Sequence, residues 1–307
     1  MTTAQLDQRP ARIDRVPLGI LFMVGATLMF GISQAISKWQ VATFSVAEVL
    51  SYRAIGSLLI AAALIMPKTG FAVFKTQRLG QHIGRSTTQF AAQTSLMIAF
   101  SMMPLAGAVA INFSSPLFAT LFAALWLKEK VGWARAGALA AGFLGVLLVA
   151  SPGADSFKLG ALFALGNAVL FGSVTAAVRG LSKTESTETM TMYQMVFLAI
   201  AFTLPLPFFF RVPSWLDLLL LLGSGVVNGL GQYWWTRSLS LAPPAAVGPF
   251  FYTSLVWAML LGFLVWGDVP TIGLLAGSAI VVASGLFLLW HESARKARML
   301  DEAMKSQ

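Results

Sequence analysis

Residues 19–38, GILFMVGATLMFGISQAISK, and residues 160–179, GALFALGNAVLFGSVTAAVR, align without a gap at an offset of 141. Seven of the twenty positions are identical: Gly19/Gly160, Leu21/Leu162, Phe22/Phe163, Gly25/Gly166, Phe30/Phe171, Gly31/Gly172 and Ala35/Ala176. Each stretch is mostly apolar and about 20 residues long, enough for a helix rising about 1.5 Å per residue to cross a hydrocarbon core about 30 Å thick. Tyr52 and Tyr193 keep the same offset. Further along it becomes 139, pairing Gln89/Asn228, Gln93/Gln232, Pro104/Pro243, Ser115/Ser254 and Glu129/Asp268, and it ends near 140 with Gly137/Gly277 and Gly145/Gly285. Two apolar helices agree by chance at single positions, but a nearly constant spacing sustained along the chain indicates duplication.

Working outward on the same length criterion gives ten spans, at about 17–37, 46–66, 86–103, 106–127, 134–151, 158–179, 189–210, 215–237, 245–266 and 271–290. Pro67, Pro104, Pro152, Pro213, Pro243, Pro244 and Pro270 punctuate the short connections. The expected fold is therefore all-α: a polytopic integral membrane protein with ten transmembrane helices as two five-helix repeats. An odd number of spans per repeat forces the second to enter from the opposite side, so the repeats are inverted, and substrate sites of that geometry lie between them near the midplane. The expected organisation is an N-terminal tail 1–16, a first repeat 17–151, a second repeat 152–290 and a C-terminal tail 291–307.

Composition agrees. Of 307 residues 57% are apolar and 11% charged, against about 25% charged in a soluble domain. With the N-terminus cytoplasmic, 17 of the 21 Lys and Arg fall in cytoplasmic segments, three (Lys38, Lys158, Arg211) on the other side and one, Arg53, within a span. That bias places both termini in the cytoplasm. The net charge of +9 then implies anionic lipid head groups rather than nucleic acid as counter-charge. The first apolar run is too long for a signal-peptide core and reads as a true span.

The ten-span layout, the Arg of SYRAIGSLLIAA in the second span, the Pro of INFSSPLFATLFAALWLKEKVGW in the fourth, and the spaced glycines of GALAAGFLGVLLVA in the fifth resemble the EamA family of the drug/metabolite transporter superfamily. In detail the chain is most similar to bacterial aromatic amino acid exporters of the YddG type. The resemblance implies a multi-pass bacterial inner-membrane protein exporting amino acids, aromatic or otherwise apolar, or related small neutral metabolites by alternating access. A drug exporter, an exporter of other metabolites or an importer of the same superfamily is the alternative. The second repeat departs from the pattern, with Asp268 for Glu129 and Leu255 for Pro116.

Polar residues within spans are costly in lipid and should face the bundle interior. Gln89 and Gln93 share a face of the third span, and their repeat partners Asn228 and Gln232 share the same face of the eighth, continued by Trp235. Amides donate and accept hydrogen bonds, which suits a zwitterion or neutral polar solute; the bland reading is interhelical bonding. Tyr233, Trp234, Phe250, Phe251, Tyr252 and Trp257 cluster nearby, where they supply apolar stacking surface or an interfacial belt. Arg53 is a partner for a substrate carboxylate, or else snorkels or pairs with Glu48. Gln34, with Thr175 as repeat partner, and Asn112 complete the candidate substrate-binding set.

Exclusions narrow the function. There is no cysteine, both histidines (His82, His291) lie at span ends, and none of the 12 acidic residues sits at a span centre. An intramembrane enzyme lacks its nucleophile and base, so no enzymatic activity, cofactor or metal is expected. Missing central carboxylates argue against an antiporter exchanging substrate for a proton there, and favour uniport down a gradient or a coupling that does not use such a carboxylate. A single cation in the spans argues against organophosphate substrates. The glycine faces of the fifth and tenth spans (Gly137, Ala141, Gly145; Gly273, Gly277) read as scaffold or as a dimer seam.

Overall fold

The computed structural model describes residues 16–115, 117–118, 121–122, 133–150, 155–181, 184–209, 211–241 and 247–305. Every regular element among them is helical: α1 (Val16–Gln40), α2 (Val46–Thr69), α3 (Leu79–Met102), α4 (Leu105–Asn112), α5 (Trp133–Ala150), α6 (Asp155–Leu181), α7 (Thr187–Thr203), α8 (Trp215–Leu241), α9 (Thr253–Trp266) and α10 (Ile272–Lys305). Short 3-10 turns follow α2 (Gly70–Phe74) and precede α9 (Gly248–Tyr252), and a single helical turn (Leu206–Phe209) follows α7. Pro116, Pro152, Pro243, Pro244 and the Lys128-Glu129-Lys130 end of the fourth span lie outside the described residues.

Five segments, 16–40, 46–74, 159–178, 187–208 and 249–266, are long and apolar enough to cross a membrane, and 136–149 and 272–288 are shorter apolar helices. Helices α3 and α8 are absent from that set because polar residues, the amide pairs among them, lower their mean hydropathy. Several expected boundaries shift, among them the start of the third span, at Leu79 rather than 86, and the end of the seventh, at Thr203 rather than 210. Helix α2 runs through Pro67 to Thr69, the proline falling in its last turns. Helix α10 continues through the expected tail to Lys305, along a run of Ala, Arg, Lys, Met and Glu that favours helix.

Packing obeys the duplication. Helix α1 packs on α8 as α6 packs on α3, α2 on α8 as α7 on α3, and α1 on α9 as α6 on α4. The pairs α2/α7, α4/α9 and α5/α10 meet their own counterparts. Inversion is direct: the Ser51 hydroxyl near the start of α2 donates to the Phe202 carbonyl at the end of α7, while Ile65 at the end of α2 clusters with Met192 and Met195 at the start of α7. The lipid-facing residues repeat as well, Leu21 with Leu162 (67% and 65% exposed) and Leu59 with Ile200 (59% and 64%). Repeat-related Phe113 and Tyr252 stack on each other, with centroids 4.9 Å apart, where α4 and α9 meet. Helices α2 and α7 begin with repeat-related caps: Ser45 accepts from the Glu48 amide and Ser186 from the Thr189 amide.

Glycine sets the two closest crossings. A side chain at Gly56 would strike the Leu222 carbonyl, and one at Gly225 the Arg53 carbonyl, so α2 and α8 touch backbone to backbone. A Cβ at Gly145 would lie 2.8 Å from the Gly277 carbonyl, which makes this glycine face the α5/α10 contact within one chain. Below, the terminal face is the end of the bundle holding residues 16–20, 69–82, 184–191 and 233–241, and the distal face is the opposite end.

Candidate functional site

Helix α2 is the spine of the polar seam. Arg53, Ser57, Ala61 and Ile65 follow one another at four-residue spacing on it, one turn apart. Arg53 is buried, and its Nη2 donates to Gln93 Oε1 on α3 at 2.8 Å. One turn on, Ser57 donates to the Gly225 carbonyl (2.9 Å) and accepts from Asn228 Nδ2 (3.2 Å) on α8. One and two turns further on, Ala61 and Ile65 line a cleft together with Gln232. Helix α2 thus links the amide pair of α3 to that of α8, because glycines at 56, 225 and 229 let α8 approach close enough for a short serine to reach.

Gln232 lines a cleft of about 60 Å³ open toward the terminal face, with Ala61, Leu64, Ile65, Thr187, Glu188, Thr191, Met195, Gly229, Tyr233 and Thr236. Ligand sites for drug-sized molecules run to about 300–1,000 Å³. The cleft as described is smaller than such a site.

The expected site residues divide accordingly. Arg53 and Gln93 come together, Asn228 joins Ser57, and Gln232 faces the cleft. Gln89 is buried on α3 and Gln34 half-buried on α1. Asn112 accepts from Asn167 Nδ2 at 2.6 Å, which makes it part of an α4–α6 contact. Trp235 leaves the set: it packs with Met23, Val16, Ile20 and Val247 in an apolar cluster at the terminal face. The face of α8 that borders the cleft runs Gly229–Gln232–Tyr233–Thr236, and Trp235 sits a residue off it. Pairing of Arg53 with Glu48 is also excluded. The buried Glu48 carboxylate is occupied, accepting from the Ser45 amide and hydroxyl (both 2.8 Å) and the Arg211 amide (2.6 Å) on the distal face. Among the described residues no carboxylate forms an ion pair with Arg53. The position equivalent to Arg53 at offset 141 is Gln194, so the seam carries its cation in the first repeat alone.

Sequence reading missed Ser57, Thr236 and Asn167. Ser57 carried a signal, since it lies four residues after Arg53 on the same helical face. Elsewhere, Trp257 Nε1 donates to Thr27 Oγ1 (3.2 Å), which shares a 2.7 Å hydrogen bond with Thr253 and ties α1 to α9. Lys38 donates to the Phe100 and Met103 carbonyls (3.1 and 2.6 Å), a cation at the C-terminus of the helix that presents Gln89 and Gln93. Among the described residues no cluster of His, Cys, Asp or Glu could hold a metal ion.

Comparison with known proteins follows the same pattern. Residues 17–151 and 158–290 each match the EamA-like transporter family. A riboflavin transporter of Vibrio cholerae is 32% identical over 91% of this chain and 95% of its own length. The pseudopaline exporter CntI of Pseudomonas aeruginosa is 32% identical over 90% of this chain and 97% of its own. A solved crystal structure superposes with a TM-score of 0.63 at 18% identity, covering 88% of this chain and 96% of that one, and shares the fold.

Proposed function

The chain belongs to the EamA-like transporter family, and from that premise we propose that it moves a small organic metabolite through the seam between its two inverted repeats. The substrate class we propose is a molecule with a carboxylate or carbonyl-rich edge on a planar or apolar body. The observation that carries this is the buried Arg53, held by the neutral Gln93 with no carboxylate partner among the described residues. A guanidinium in that setting keeps donors for an incoming oxygen, which it grips as a planar fork. Gln232 and the Asn228–Ser57 pair supply neutral donors and acceptors beside it. Tyr233 offers a ring face at the cleft.

Export of an aromatic amino acid is the reading we place first, because a zwitterion with an apolar ring satisfies the guanidinium, the amides and the aromatic surface together. Riboflavin is the second reading. Its support is the 32% identity to the Vibrio cholerae riboflavin transporter over nearly the full length of both chains. We place ten spans in a bacterial-type inner membrane with both termini, and hence the terminal face, in the cytoplasm, on the strength of the Lys and Arg bias.

The test is counterflow in proteoliposomes loaded with phenylalanine, tryptophan, riboflavin or an unrelated sugar. Exchange of labelled aromatic amino acid, lost in Arg53→Met, supports the first reading. Riboflavin exchange without amino acid exchange replaces it with the second, and exchange of neither refutes the proposed class.

A further inference from the structure

A second polar cluster lies on the terminal face, away from the seam. Its parts come from both repeats. From the first come the α2–α3 connection with Thr76, and His82 and Arg85 in the opening turns of α3, ahead of the span expected at 86–103. From the second come Glu185, on the connection before α7, and Met190 and Tyr193 on α7 itself. Thr76 donates to Glu185 Oε1 (2.7 Å), Tyr193 donates to the Phe74 carbonyl (2.7 Å), and Arg85 donates to the Met190 carbonyl (2.6 Å). The His82 ring stacks on Tyr193 with centroids 4.6 Å apart, and its Nε2 lies 3.7 Å from Glu185 Oε2. His82 is fully buried, yet among the described residues neither ring nitrogen has a hydrogen-bond partner.

We propose that His82 and Glu185 form a proton-controlled latch between the two repeats, and that protonation of His82 opens the terminal face above the Gln232 cleft. The latch grips the segment that walls the cleft: Thr187, Glu188 and Thr191 follow Glu185 directly and line it. Parting the two connections would therefore widen the route to the seam. This inference rests on the two-repeat transport reading above and adds its regulation.

The sign follows from what surrounds the imidazole. Among the described residues the charged and titratable groups bearing on it are Glu185 from the connection, Arg85 from α3 and Tyr193 from α7. Burial is the largest influence and pushes the imidazole below its usual value; Glu185 pulls it up and Arg85 pushes it further down. An imidazolium donates from both nitrogens, and in the closed packing Nδ1 finds no acceptor. The closed latch thus favours the neutral ring. Once exposed to water, His82 regains an ordinary affinity for protons, near pH 6.5. The closed state is fully favoured above that pH and loses its advantage as pH falls through and below it. Protons regulate access here at a distance from Arg53, which has no carboxylate partner among the described residues.

The chain has no cysteine, so Gln77→Cys with Thr184→Cys places one spin label on each exposed connection and nowhere else. The distance distribution is read in liposomes at about pH 8 and about pH 5.5 by double electron–electron resonance, without substrate. The latch predicts one short distance at the higher pH and a longer component growing in below about pH 6.5. His82→Gln should show the same distribution at both. Glu185→Gln keeps an acceptor for Thr76 but removes the charge that favours the imidazolium in the closed state, so its long component should appear at higher pH than in the parent. A distribution insensitive to pH, or an identical response in His82→Gln, overturns the latch; if His82→Gln does not fold, an unshifted midpoint in Glu185→Gln does so. Flux is not measured, so this outcome is separate from that of the substrate assay.

Discussion

Gln93→Leu removes the one side-chain partner that the described residues give to the buried guanidinium of Arg53, with little change in side-chain volume. The Arg53–Gln93 hydrogen bond is 2.8 Å long and its donor is charged. Hydrogen bonds to charged groups contribute about 1.5–3 kcal/mol, and much of the loss on deletion comes from the desolvated group left behind. Gln93→Leu should therefore destabilise the protein by about 1.5–3 kcal/mol. In an Arg53→Met background there is no cation to strand, and the same change should cost less than about 0.5 kcal/mol, the ordinary scatter of additivity. Arg53→Met alone should be close to neutral, since removing a buried charge also removes its desolvation penalty. The assay is reversible unfolding in mixed micelles for the four members of the cycle, read by tryptophan fluorescence. Equal costs of Gln93→Leu in both backgrounds would refute the pairing, and with it the argument that Arg53 is poised by a neutral partner.

Three further outcomes follow from packing and caps. Gly225→Val forces a branched side chain into the backbone of Arg53 and Gly56, which no rotamer relieves; it should cost at least about 1–3 kcal/mol and collapse the folded yield on size exclusion. Gly166→Ala, where an added Cβ meets nothing within 4 Å, is the matched control and should leave yield and midpoint unchanged. Glu48→Ala takes the acceptor from the part-buried Ser45 and Arg211 amides and should lower the unfolding free energy by about 1 kcal/mol in all, with Glu48→Gln intermediate because it keeps one accepting oxygen.

The bilayer made much of the fold legible. Because lipid offers backbone groups no partners, each crossing must be a continuous helix with an apolar exterior, and hydropathy reads that requirement directly. The inverted duplication was legible for a related reason: equivalent positions such as Leu59 and Ile200 face the same solvent in both repeats. Irregularities were less so. The fourth span was read as one run from 106 to 127, and it is interrupted by a turn at 113–114 after which the described residues 115, 117–118 and 121–122 are again helical, while α9 is preceded by a 3-10 turn at 248–252. These breaks are tolerated where backbone lies inside the protein, here around the Phe113–Tyr252 stack, and burial is not written in local hydropathy. In the site, helical spacing grouped Gln89 with Gln93 and Asn228 with Gln232 but could not say which neighbour each would meet. The rotation of α8 follows from its glycine contact with α2, and that rotation turns Trp235 into an apolar cluster while bringing Asn228 to Ser57.

The most direct test of the central claim, that substrate crosses along the amide-lined seam beside α2, is initial-rate counterflow of the transported metabolite by purified Gln93→Ala/Gln232→Ala in proteoliposomes. The account predicts a fall of at least tenfold with an unchanged elution profile and helical content. Wild-type flux from the correctly folded double variant would contradict it.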